Sequence, residues 1–221
     1  MNKKIKVLDH GYVRYVDHMG SDQSIVEAAR VSYNSPSKGE EQDKKLLAYL
    51  LKNKHTSPFE MVKLKLNIKL PIFVMRQFVR HRMQNLNEVS ARYTELPNEF
   101  YVPTKWRKQD TKNKQGSQES EELNHYAITN YVRESSDDCY RNYQSLLTIG
   151  VAREMARMVL PVNIYTEIYT CWDLNNLLKF FALRDDSHAQ SEIQEYARAM
   201  KEIARECFPW TMELYDKQRT N

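Results

Sequence analysis

The segment RHRMQNLNEVSARYTE, residues 80–95, gathers four basic side chains, two acids and a serine just after an apolar stretch. Arg80, His81 and Arg82 are consecutive, so on one helix they point in different directions. Two of them can reach one ligand while the third turns toward another element or a partner subunit. A guanidinium's rigid donor fork matches phosphate oxygens. Glu88, Ser90 and Arg92 lie two apart, and an extended segment puts acceptor, hydroxyl and guanidinium on one face. Such a face can read a polar heterocycle and its phosphate. A solvated helix end followed by a capped loop, stitched by ion pairs, explains the same pattern without a ligand.

Three further clusters carry chemistry. Gln77 lies one turn before Arg80 and is the polar residue nearest that surface if the helix buries Ile72, Val74, Met75 and Phe78. In VAREMARMVLP (151–161), Arg153 and Arg157 share a face, with Glu154 beside them. Arg153 reads as part of a surface ladder. Arg157 stands among Ala156, Met158, Val159 and Leu160, where a charge needs a partner. In LRDDSHAQ (183–190), Asp185, Asp186 and Ser187 suit the cap of a following helix, whereas Arg184 and His188 are surplus to that task. An arginine against a pyrimidine imide stabilises the anion left when N3 loses its proton. HTSPFE (55–60) offers His55 and Ser57 at a turn, where packing and capping are the plain alternatives.

With five glycines there is no GxxxxGK loop and no GxGxxG turn. No HExxH motif, Cys/His metal spacing or GxSxG elbow is present, so no metal is expected. The 33 basic and 29 acidic residues leave a net charge of +4, too mild to argue for nucleic acid. Cys139, Cys171 and Cys207 form no CxxC or disulfide framework, which points to a reducing, cytoplasmic setting. MNKKIKVLDHGY has no apolar signal core, and no 18-residue apolar run predicts a membrane span.

The elements that must position these residues follow from periodicity. Residues 3–16 read as a strand or strand pair, 21–33 as a capped helix, and 40–54, after the SPSKG loop, as a helix broken at Pro58. In 61–71, Val62, Leu64, Leu66, Ile68 and Leu70 alternate with lysines and Asn67, a half-buried strand. Residues 71–82 read as a helix with proline in its first turn, and 105–122 as a polar, mobile loop. A long helix from about Ser120 to Leu147, interrupted near Asp137, precedes a helix at 151–161, a strand at 162–172 and helices at 175–184 and 190–208. The expectation is one α+β domain, a mixed helix-and-strand unit over 1–221 with too few strands for a barrel or a doubly wound sheet. At 221 residues the chain can bury one sizeable core.

R-H-R-x-x-N-x-N-E-x-S-x-R, Arg80 to Arg92, closely resembles the signature of flavin-dependent thymidylate synthases. HTSPFE, ARMVLP (156–161) and LRDDSHAQ resemble further blocks of that family in the same order, and together they span most of the chain. The resemblance implies a homotetramer with active sites at subunit interfaces and an FAD held by several chains. It implies conversion of dUMP to dTMP with 5,10-methylenetetrahydrofolate as carbon donor and NADPH as reductant, and no cysteine nucleophile. His55, Ser57, Arg80, His81, Arg82 and Glu88 match cofactor-binding positions. Gln77, Phe78, Val79, Arg80, Glu88, Val89, Ser90, Ala91, Arg92, Arg157 and Arg184 match the dUMP side. Arg184 matches the residue that helps ionise N3.

Three positions depart from the family. Asn85 replaces the signature's first serine. Asp173 and Lys179 stand where relatives carry flavin-contacting asparagines, and Asn175 or Asn176 is then the nearest substitute. Two other readings predict different behaviour. A flavoprotein reductase would use the pocket without methyl transfer. An RNA-binding or regulatory protein would bind single strands in a steeply salt-dependent way, although only Tyr93 interleaves an aromatic ring with the basic residues.

Overall fold

The computed structural model describes residues 2–33, 39–114 and 116–220. In chain order they form β1 (Lys4–Val7), β2 (Gly11–Met19), α1 (Asp22–Arg30), α2 (Glu40–Lys52), β3 (Lys63–Pro71), α3 (Ile72–Phe78) and β4 (Gln84–Glu88). Then follow β5 (Arg107–Gln109), β6 (Ser117–Glu119), α4 (His125–Thr148), α5 (Arg153–Ala156), β7 (Tyr165–Asp173), α6 (Leu174–Arg184), α7 (Ser191–Cys207) and α8 (Pro209–Thr220). Five strands pair antiparallel in the order β1-β2-β3-β7-β4. The architecture is the mixed α+β type expected.

Strict alternation makes β3 the spine of the sheet. Leu64, Leu66, Ile68 and Leu70 are fully buried on the face that meets the helices, and each such side chain contributes about 1.5–3 kcal/mol on leaving water. On the opposite face Asn67 is also fully buried. Its Oδ1 accepts from Arg14 Nε at 3.0 Å and its Nδ2 donates to Glu167 Oε1 at 2.8 Å, so the amide is satisfied. The central strands β3 and β7 run in register from Lys63↔Asp173 to Pro71↔Tyr165. Both strands lead directly into helices, α3 and α6, and those two helices carry most of the candidate site.

Helix α7 buries Ile193, Tyr196, Ala197, Met200, Ile203 and Ala204 at helical spacing against that sheet. The sequence reading ended its last helix at 208 and did not foresee α8. Pro209 is tolerated in a first turn, and Asp22 of α1 supplies the acceptors. The Asp22 carboxylate takes Trp210 N at 2.8 Å, Thr211 N at 3.0 Å and Thr211 Oγ1 at 2.6 Å.

Several expectations need correction. The helix expected over 71–82 ends at Phe78, so Arg80, His81 and Arg82 lie beyond it in a turn. His81 N donates to Phe78 O at 2.9 Å, and the Gln84 side chain donates to the same carbonyl at 2.8 Å, the one that Arg82 N would use in a further turn. Strand β4 stops at Glu88, and the chain turns at Ser90, whose carbonyl accepts from Tyr93 N and Thr94 N. Glu88, Ser90 and Arg92 therefore do not share one extended face. Residues 105–122 contain the β5–β6 hairpin instead of an unstructured loop. Helix α4 runs through Asp137 without a break, and 151–161 holds one helical turn followed by a 3-10 turn at Arg157–Val159. Most of the SPSKG loop lies outside the described residues.

Candidate functional site

Helices α3 and α6 converge to place Gln77, His81 and Arg184 together. Arg184, in the last turn of α6, donates from Nε to His81 Nε2 at 3.0 Å and from Nη1 to Gln77 Oε1 at 3.4 Å. Gln77 Nε2 in turn donates to Gln190 Oε1 at 2.7 Å. The His81 ring lies between Trp172 and Phe180, with centroids 6.2 and 5.0 Å away. Burial, and then the positive charge of Arg184, push the His81 pKa down to about 4. His81 is thus neutral near pH 7, and because Nε2 accepts from Arg184 its proton resides on Nδ1. Burial also lowers the Arg184 pKa. Among the described residues no carboxylate pairs with Arg184. A half-buried cation held by two neutral groups is arranged to receive an anion.

The turn after α3 adds charge of the same sign. Arg80 and Arg82 are exposed, and among the described residues neither has a hydrogen bond or ion pair. Val79 is exposed as well, whereas the Phe78 ring is fully buried beside Phe180 at 5.0 Å. Phe78 is therefore core, and its side chain is not available to a ligand.

A second group lies around a cavity of about 370 Å³ lined by Arg76, Glu88, Val89, Ala91, Glu154, Arg157 and Thr166 among others. Glu88 Oε1 accepts from Thr166 Oγ1 at 2.7 Å. Ala91 is buried with Leu96, Phe100 and Ile164 and anchors the loop. Arg92 donates from Nε to Glu154 Oε2 at 2.9 Å, and Ser90 Oγ accepts from Arg92 N at 3.3 Å. Arg157 is exposed, and its Nε reaches only the Glu154 carbonyl at 3.3 Å. The expectation that burial forces a partner on Arg157 does not hold, because the helix around it lasts one turn and Met158 is 74% exposed. No hydrogen bond joins this group to the Gln77–His81–Arg184 group among the described residues.

A third group surrounds a cavity of about 780 Å³, where His55 and Ser57 join Tyr49, Arg30 and Met61. His55 is exposed and meets the Tyr49 ring edge-on at 5.6 Å. Asp173, Asn175 and Lys179 divide by role. Asp173 caps α6, accepting from Asn176 N at 2.9 Å, and lies 3.8 Å from Lys63 Nζ. Asn175 is buried and donates to Glu60 Oε1 at 2.9 Å, which places it in the fold's interior. Lys179 is exposed. In the 183–190 block the aspartates do not cap α7, which begins after Gln190 with no side-chain cap. Asp185 pairs with Arg198 and Lys201, and Asp186 accepts from His188 N. His188 is exposed.

Sequence reasoning missed Arg76, Gln84, Thr166 and Gln190. Arg76 carried a usable signal, since it precedes Gln77 in the same basic run. The other three are uncharged; Gln190 closes the LRDDSHAQ block, whose charged residues drew the reading, and Gln84 and Thr166 have no motif of their own. Among the described residues no group of three or more His, Cys, Asp and Glu side chains is placed to hold a metal ion, and no helix is long and apolar enough to cross a membrane.

Residues 14–210 match the family described as thymidylate synthase complementing protein. The flavin-dependent thymidylate synthase of Thermus thermophilus is 49% identical over 213 residues, which cover 96% of this chain and 78% of that one. The chain belongs to the flavin-dependent thymidylate synthase family. The Kosmotoga olearia member is 47% identical over 214 residues, covering 96% of this chain and 93% of its own. In three dimensions the chain is similar to the UMP/dUMP methylase PolB of Streptomyces cacaoi bound with 5-Br dUMP, at a TM-score of 0.86 and 31% identity, covering 96% of this chain and 97% of that one. Membership makes the chain a flavin-dependent methyltransferase of the thymidylate synthase type.

Proposed function

We propose that the protein converts dUMP to dTMP, using 5,10-methylenetetrahydrofolate as carbon donor and NADPH as reductant, with FAD as cofactor. The observation that carries the reading is Arg184, a half-buried cation with no carboxylate among the described residues, aimed by neutral His81 and Gln77. Against a pyrimidine, its remaining donors stabilise negative charge at N3 and O4 as C5 becomes nucleophilic. Gln77 then reads the imide edge, and Arg80 supplies a fork for phosphate.

The residues present fit a flavin dinucleotide. Arg80, Arg82 and Lys179 are exposed cations without a partner among the described residues, matching a pyrophosphate, and His55 and Ser57 line a large cavity. When bound, FAD supplies the redox chemistry. The protein's own residues bind, orient and hold charge. Glu88 to Arg92 and Arg157 complete the dUMP site from a second chain of a homotetramer. The absence of a hydrogen bond between the two groups among the described residues supports that assignment. Support also comes from the apolar side chains left exposed beside them, with Met83 at 68%, Tyr93 at 77% and Met158 at 74%. By this reading 1–221 is a single synthase domain.

The test is release of tritium from [5-³H]dUMP. Release that requires methylenetetrahydrofolate and NADPH supports the proposal. NADPH oxidation without tritium release would make the protein a flavin reductase instead, and a catalytically complete monomer by light scattering would refute the shared site.

A further inference from the structure

Gln84 opens β4, opposite Trp172 in the ladder, and is half-buried. Its Nε2 donates to Phe78 O at 2.8 Å and to His81 O at 3.0 Å, while its Oε1 accepts from Thr170 Oγ1 at 2.6 Å. Carbonyls only accept, so the orientation of the amide is dictated by its partners. Both of its N–H groups are used, and Thr170 on β7 is buried. The side chain thus ties both ends of the Phe78–His81 turn to the central sheet, at the point where α3 has just ended.

We infer that Gln84 is a positioning residue for the substrate site, acting through His81 on Arg184 and through the turn on Arg80. This rests on the assignment of Arg184 to the dUMP site. The chain of contacts is continuous. Thr170 orients the Gln84 amide, the amide holds the His81 carbonyl, and that backbone sets the His81 ring whose Nε2 receives Arg184 Nε at 3.0 Å. Without the amide, the His81 carbonyl loses this donor and the Phe78 carbonyl keeps only His81 N, so the turn is held less firmly and can open toward water. Arg184 and Arg80 then keep their charges and lose their common geometry. A displacement on the order of 1 Å in a reacting site is enough for a loss of about 100-fold.

Gln84→Met keeps the length of the side chain and removes all three hydrogen bonds. We expect kcat/KM for tritium release from dUMP to fall about 10- to 100-fold, with dUMP binding by the purified flavoprotein weakened as well. A second readout needs no turnover. With histidine labelled at the imidazole carbons, the His81 signal, identified by its absence in His81→Gln, moves its titration midpoint upward in Gln84→Met as the ring swings out of its place. A residue that merely stabilised the sheet edge would lower the melting temperature and leave that midpoint alone. Thr170→Val removes one bond of the three and guards against misfolding of the first variant. A smaller loss is expected from it, with no further loss when it is added to Gln84→Met. Wild-type kinetics and an unmoved His81 signal in a folded Gln84→Met protein would overturn the inference, provided that Arg184→Ala is impaired in the same assays. If Arg184→Ala also behaves as wild type, the assignment of the dUMP site fails first.

Discussion

Replacing His81 by glutamine removes a histidine that the fold holds neutral and so exposes the energetics of the site. Burial and the neighbouring Arg184 cation lower its pKa from 6.5 to about 4. At pH 5.5 a group of pKa 4 is about 3% protonated, whereas one at 6.5 is about 90% protonated. The sign of the stability effect follows. As pH falls below 6.5 the unfolded chain takes up a proton that native His81 refuses, so stability is complete above 6.5 and declines toward pH 4. At about 1.4 kcal/mol per tenfold change in proton affinity, and discounted by roughly half because the ring is only half-buried and solvent screens it, the loss is about 1–2 kcal/mol. Urea unfolding followed by tryptophan fluorescence, at one protein concentration and at several pH values from 7.5 to 4.5, measures it. Carboxylates also titrate at the lower end of that range, so the informative quantity is the difference between wild type and His81→Gln. That difference should shrink by about 1–2 kcal/mol as the pH falls. Parallel curves would refute the argument, as would a His81 resonance in the wild type titrating with a midpoint above 6.

Other perturbations test other parts of the molecule. Arg184→Gln, which keeps a donor and loses the charge, should lower tritium release about 100- to 1,000-fold, and a rate within threefold of wild type would contradict the role assigned to it. Arg76→Ala removes an exposed guanidinium from the 370 Å³ cavity that Arg157 also lines; dUMP affinity by equilibrium dialysis should drop about tenfold. Asp173→Ala should cost about 1 kcal/mol by loss of the α6 cap, whereas Asp173→Asn keeps the acceptor and should stay within about 0.5 kcal/mol. Thermal unfolding of the two variants separates those outcomes. Asp22→Ala leaves three donors at the start of α8 without their acceptor, and a loss of about 2–4 kcal/mol in urea unfolding is expected.

Much of the frame was legible because it rests on local patterns. The alternation from Val62 to Leu70 specified both the strand and its buried face, and the spacing in 190–208 specified α7. What was illegible depended on contacts distant in sequence. The turn that follows the end of α3 at Phe78 is held by the Gln84 amide, and Gln84 itself accepts from Thr170, 86 residues further along. Asp173 looked like a changed flavin contact from its position alone, and the structure shows it engaged as a helix cap. Arg157 misled in the opposite direction. Apolar neighbours in sequence suggested burial, yet a single helical turn leaves both it and Met158 facing outward.

The arginines explain why a candidate anion site was legible from residue type and spacing even where local structure was misread. Arg30 pairs with Asp43, Arg107 with Glu192 and Arg205 with Asp216, and these pairs serve the fold. Arg76, Arg80, Arg82 and Arg184 have no carboxylate partner among the described residues, and they lie in or just past the last turns of α3 and α6. Gathering like charges is unfavourable, and Asp185, next to Arg184 in the chain, does not relieve it, since it is engaged by Arg198 and Lys201. Part of the cost is offset by the partial negative charge at two converging helix C-termini, about 0.3–1 kcal/mol at each. No carboxylate among the described residues pairs with these four arginines to offset the remainder. A bound anion would remove it, which makes the arrangement a cost to folding that is recovered on binding and ties the unpaired arginines to a ligand more firmly than their number does.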